Sequence, residues 1–207
     1  LPLAFDRGEV QQVSPTLGAD QLRAGVLAAG LGMLLVVIFT LLYYRALGFV
    51  TVASLGVAAI MLYALILLMG QWIGFTLTLA GIAGAITAIG VTADSFIVYF
   101  ERVKDEMREG RSLRTAAETG WVRARRTILI ADFVSLIAAV LLYVFSVGGV
   151  RGFAFTLGLT TLIDLVIIFL FTKPALVLIS RSKFFNSGHP LSGFSPKSLG
   201  LVIAKEA

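Results

Sequence analysis

The chain has 207 residues, of which 58% are hydrophobic and only 14% charged, with a net charge of +5 and no cysteine. Its mean hydropathy is +0.95. Soluble domains carry about 25% charged residues, so this composition excludes a soluble globular protein and a disordered one, and the missing cysteines exclude disulfides, thiol catalysis and thiolate metal sites.

The chain starts at Leu1 rather than Met, and it reads as a fragment or a processed product. Residues 1–20 are polar and mixed, with Pro2 and Pro15, as expected for the end of an external domain. Asp20 then has the character of an N-cap for the first apolar helix. Five stretches reach the roughly 20 apolar residues that a helix needs to cross a bilayer. They run over 24–44, 47–69, 75–100, 127–146 and 152–172, within a bundle expected over 21–181. Period-2 alternation is absent, which leaves helices as the structure able to satisfy the backbone in lipid. The fold class expected is therefore all-α, a polytopic transmembrane helical bundle.

Arg45-Ala46 reads as a tight turn, Gly70–Gly74 as a link with Trp72 at an interface, and Gly148–Arg151 as a second short link. The segment 101–126 reads as a long cytoplasmic loop holding eight of the 17 Lys+Arg residues and five acids. Short amphipathic helices are expected within it, broken at Gly110 and Gly120. Residues 182–207, rich in Ser, Gly and Pro, read as a flexible cytoplasmic tail. Counting connections alternately puts 14 of the 17 basic residues on one side, leaving Arg7, Arg23 and Arg151 on the other. The positive-inside rule then places the N-terminus outside and the C-terminus in the cytoplasm.

Asp94, Asp132 and Asp164 lie within spans, each at a cost of about 2.5–3.5 kcal/mol on insertion scales. At 1.5 Å per residue they fall roughly 9, 9 and 12 Å from the cytoplasmic side, a level at which helix packing can bring at least two together. Ala80, Ala83, Gly84, Thr87, Gly90, Val91 and Asp94 follow helical spacing along one small-residue stripe, which suits close helix approach at Gly81, Gly84, Thr87 and Gly90. An acid on such a stripe is expected to face protein or a water-filled cavity rather than lipid. No Lys or Arg inside the chain is placed to neutralise these acids at depth, which makes them candidate proton carriers. The plainer reading is a structural helix–helix hydrogen bond, and for Asp132 a local pairing with Arg125 or Arg126.

The basic residues of 101–126 fit topology and lipid contact better than a nucleic-acid site. His189 sits alone in the tail. There is no Walker motif, no Ser/His/Asp set and no HExxH, so no catalytic centre, cofactor or metal site is expected.

Specific strings go further. Pro15–Asp20 with Arg23-Ala24-Gly25, Leu42–Arg45, Leu79–Gly84, Ile89–Asp94 with Phe100-Glu101-Arg102, Glu109–Ser112, Thr127–Leu129 and Val150–Ala154 together resemble the SecD family of the Sec protein-export translocase, in the resistance-nodulation-division superfamily. The resemblance runs from about Val13 to Ser180, and the tail suits actinobacterial members. It implies five helices of a six-helix half in the cytoplasmic (inner) membrane. The implied partners are SecF, the SecYEG channel, SecA indirectly and an unfolded preprotein. It also implies late preprotein translocation driven by the proton-motive force, with the family's intramembrane Asp at Asp94. Asp132 and Asp164 depart from the family pattern. The rival expectations are a proton-coupled lipid or drug exporter of the same superfamily and a passive membrane assembly scaffold.

Overall fold

A computed structural model describes residues 15–182 together with 185 and 192. The expected external piece up to residue 14, and nearly all of the expected tail including His189, lie outside the described residues.

Among the described residues the chain is helical throughout: α1 (Pro15–Tyr44), a 3-10 turn (Arg45–Leu47), α2 (Gly48–Ile73), α3 (Leu79–Arg108), α4 (Leu113–Phe145), α5 (Gly148–Ile167), a π turn (Ile168–Thr172) and α6 (Lys173–Ile179). Gly18–Trp72, Leu79–Arg108, Leu113–Phe145 and Gly148–Ile179 are all long and apolar enough to cross a membrane. The first of these is folded back on itself. Arg45 adopts a left-handed φ of 54°, and a Cβ on Gly48 would lie 2.7 Å from the Thr40 carbonyl oxygen. Only glycine lets the chain re-enter a helix so close to the strand of backbone it has just left. α1 and α2 are thus two rods of 30 and 26 residues, packed on one another.

The helix ends have local causes that hydropathy does not report. α1 is already helical from Pro15, the first described residue, so Asp20 lies inside the helix and is not its N-cap. α2 runs on to Ile73 and stops at Gly74, whose φ of 63° closes the turn onto the Met69 carbonyl. Thr78 caps α3 by accepting a hydrogen bond from the Gly81 N–H at 3.1 Å. The link between α4 and α5 shrinks to Ser146-Val147, and Arg151 belongs to α5.

The largest correction concerns 101–126. This segment is not a loop. α3 continues to Arg108 and α4 starts at Leu113 behind the N-cap Ser112, whose hydroxyl accepts from the Thr115 N–H. Gly110, at φ 87°, does mark the break. Gly120 does not: it sits mid-helix where a Cβ would come within 3.0 Å of the Val103 backbone nitrogen, so it serves close approach of α4 to α3.

α3, α4 and α5 pack on each other most extensively, with α1 and α2 against α3 and α5. The core centres on Phe96, Tyr99, Phe100, Val103, Ala116, Ile167 and Ile168, with Trp121 edge-on to both Tyr99 and Phe169. The π turn precedes Pro174, which has no N–H and whose ring crowds the carbonyl one turn back; the wider turn absorbs that conflict without breaking the rod. The Ser54 and Thr172 hydroxyls, both buried, meet at 2.9 Å and tie α2 to it.

Candidate functional site: the membrane acids

α3 carries two stripes of small residues. Gly81, Gly84, Ala88, Thr92 and Ser95 are buried. A Cβ on Gly84 would stand 2.7 Å from the Phe153 carbonyl oxygen, and one on Gly81 would stand 3.0 Å from Thr156 Oγ1, so this stripe lies on α5. Ala83, Thr87, Gly90 and Asp94 form the second stripe and are exposed. Gly90 has nothing within reach of a Cβ. Thr87 donates to its own helix at the Ala83 carbonyl, 3.0 Å away. Of the four residues expected to pack helices, then, Gly81 and Gly84 do so inside this chain, while Thr87 and Gly90 face outward.

Asp94 goes with the outward stripe. It is not enclosed by the helices of its own chain; it borders an open groove between α1 and α3 together with Leu35, Val36, Phe39, Gly90 and Ile97. Spacing places Asp94 on a small-residue stripe but cannot show which of the two small stripes of α3 turns inward.

The acids that this chain does enclose are Asp132 and Asp164, each 1% exposed. α4 and α5 form an antiparallel hairpin in which Ala139 lies against Gly158, a Cβ on the latter being 3.4 Å from the Ala139 Cβ. Two turns from this contact along each helix lie Asp132 on α4 and Asp164 on α5. Ser95 Oγ donates to Asp164 Oδ2 at 2.9 Å, joining α3 to α5. Asp164 Oδ1 and both carboxyl oxygens of Asp132 are buried without a hydrogen-bond partner. The pairing of Asp132 with Arg125 or Arg126 is not made, and both arginines are exposed.

Ser95 and Thr92 escaped the sequence reading, although the 81/84/88/92/95 spacing carries them on the same stripe as Gly84. Two polar clusters beyond the apolar spans were also hidden there. Lys104, 4% exposed, lies 4.5 and 4.2 Å from the ring centres of Tyr43 and Tyr44 and 3.2 Å from Glu101, which also accepts from the Tyr44 hydroxyl. Glu106, fully buried, is held by Arg111 and Arg123 at 2.7 Å each and by the Thr119 hydroxyl at 2.8 Å. Among the described residues no group of three or more His, Cys, Asp or Glu could hold a metal ion.

Apolar helices long enough to cross a membrane, three of them carrying an Asp within the apolar stretch, define a multi-pass helical membrane protein. The chain belongs to the SecD/SecF family: residues 3–182 match the family described as protein export membrane protein SecD/SecF, C-terminal. It is 58% identical over 200 residues to the protein translocase subunit SecD of Streptomyces coelicolor, covering 97% of this chain and 35% of that protein. It is 54% identical over 182 residues to SecD of Mycobacterium tuberculosis, covering 88% and 32%. The fold is similar to the crystal structure of SecDF, a translocon-associated membrane protein from Thermus, with a TM-score of 0.72 at 32% identity over 84% of this chain and 26% of that one. It is also similar to SecDF in a super-membrane-facing form, with a TM-score of 0.68 at 34% identity over 80% and 22%. The chain spans about a third of the length of these curated relatives.

Proposed function

We propose that this chain is the membrane part of a SecD subunit that assists late preprotein translocation, with the proton-motive force acting through Asp94. The curated relatives are translocase subunits and the solved ones are SecDF, which supports the Sec accessory role. The observation that carries the proton step is the position of Asp94 on an exposed stripe with Ala83, Thr87 and Gly90. An acid on a small-residue face is poorly suited to acyl chains and well suited to a close helix contact. The occupant proposed for that face is a SecF bundle, with the SecYEG channel and an unfolded preprotein beyond it and SecA engaged indirectly. Gain or loss of a proton at Asp94 alters the charge at the contact and shifts the packing of the two bundles. Each elementary charge moved across the membrane supplies about 2.3 kcal/mol per 100 mV, enough for a few protons to bias a two-state motion.

The orientation proposed places the ends of α3 and α4 around Gly110 in the cytoplasm, following the basic residues there. The test is Asp94→Asn in the full-length protein, assembled with its partner in vesicles. Gradient-dependent stimulation of preprotein export is expected to be lost while complex yield holds. Full stimulation would overturn the switch role, and a fall in yield with stimulation per complex unchanged would leave a scaffold.

A further inference from the structure

We infer that the groove between α4 and α5 binds one anionic phospholipid, with its phosphate on Arg151 and one acyl chain along the groove. Leu136, Val140 and Tyr143 of α4 line it together with Leu159 and Leu162 of α5, and it holds about 270 Å³. The two helices close it from behind, where a Cβ on Gly158 would lie 3.4 Å from that of Ala139. Towards the outside it is open, since Val140, Tyr143 and Leu162 are exposed. An α-helix with its side chains is about 10–12 Å across, too thick for a notch of this volume, whereas an acyl chain is a single file of methylenes.

Arg151 stands at one end of the same face of α5, with Ala154, Phe155, Gly158 and Leu162 following it at i+3, i+4, i+7 and i+11. Its guanidinium lies over the Tyr143 ring, 4.5 Å from the centroid, which holds the charge at the α4 side of the groove. Among the described residues it makes no ion pair. α3 has no charged residue before Asp94, α4 none after Asp132, and α5 none between Arg151 and Asp164. Asp20, the acid at the start of α1, is exposed on a helix that packs on α2 and α3. A cation with no acid beside it, at the mouth of an apolar groove, is complementary to an amphipathic anion. The planar guanidinium suits a phosphate in particular. A headgroup with its own ammonium gives that phosphate a competing cation, which favours a headgroup of net negative charge. At 1.5 Å per residue, Leu162 lies roughly 16 Å along α5 from Arg151, close to the roughly 15 Å that one leaflet contributes to the hydrocarbon core. The groove thus has the length of one acyl chain measured from its phosphate.

The test uses the full-length protein in nanodiscs of equal parts phosphatidylglycerol and phosphatidylethanolamine, released into the gas phase for native mass spectrometry. One phosphatidylglycerol retained per protein is expected, in preference to phosphatidylethanolamine. Arg151→Gln is expected to lower that retention about tenfold, as for loss of one charge-assisted hydrogen bond, and Arg151→Lys to keep most of it. Val140→Trp fills the groove, leaves Arg151 in place, and is expected to lower retention as well. Equal retention of the two lipids would overturn the inference, as would retention that either Arg151→Gln or Val140→Trp leaves unchanged. Benzoylphenylalanine in place of Leu162 separates a lipid from a protein occupant. A photo-adduct with phospholipid is expected; an adduct with a second protein chain would overturn the inference in favour of a partner helix over the groove. None of these residues lies on the Asp94 stripe, so no outcome depends on the switch proposed there.

Discussion

A methyl group on Gly84 would stand 2.7 Å from the carbonyl oxygen of Phe153, so α3 and α5 meet there with backbone against backbone. The contact joins two of the three helices of the central layer, and it sits three turns from the point where Ser95 reaches Asp164. Gly84→Ala forces the helices apart and is expected to destabilise the protein by about 1–3 kcal/mol, the usual range for overpacking. Gly90→Ala meets nothing within 4 Å in this chain. In the single chain it is expected to be neutral, or stabilising by up to about 1 kcal/mol through helix propensity. Thermal unfolding of both variants in detergent checks the pair. The same Gly90→Ala change tests the outward face, since a close helix contact there would make it weaken association with the partner bundle.

Glu106 is enclosed while its partners are not: the Arg111 and Arg123 side chains are 39% and 54% exposed. Removing either side of the cluster is therefore not equivalent. With Glu106→Gln the arginines rehydrate at the surface, and a loss of about 1–2 kcal/mol is expected, near that of a charge-assisted hydrogen bond. Arg111→Ala with Arg123→Ala strands a buried carboxylate and is expected to cost about 3–5 kcal/mol. Unfolding midpoints measured side by side check the order; equal losses would mean that the cluster acts as a surface network.

Lys104 is a cation held between two aromatic rings and a carboxylate, at the point where the end of α1 docks on α3. Lys104→Met keeps most of the volume and removes the charge. The expected loss is about 1–2 kcal/mol, from the cation–π contacts and the ion pair with Glu101. Tyr44→Phe removes only the hydroxyl that donates to Glu101 and is expected to cost about 1 kcal/mol. Limited proteolysis at the α1–α2 turn is expected to speed up in the order Tyr44→Phe, then Lys104→Met, since both loosen α1 before the rest of the bundle.

Hydropathy and basic-residue placement were enough to establish a multi-pass helical protein, the tight turn at Arg45, the break at Gly110 and the presence of three acids in the spans. These features depend on composition along one helix at a time, and a single strand of sequence carries them in full. Within 101–126 the expected helices and the break at Gly110 are present, but they are continuations of α3 and α4 rather than short pieces in a loop: Ser112 caps, Gly120 packs, and buried groups such as Glu106 with its arginines hold the two helices together. The identity of the enclosed acids was decided in three dimensions. α3 has small residues on two stripes, and local spacing treats both alike. Packing of α4 and α5 encloses Asp132 and Asp164, while packing of the other α3 stripe on α5 leaves Asp94 outside. Burial is a property of neighbours contributed by distant parts of the chain, and only their assembly separates an enclosed pair of acids from a solitary one.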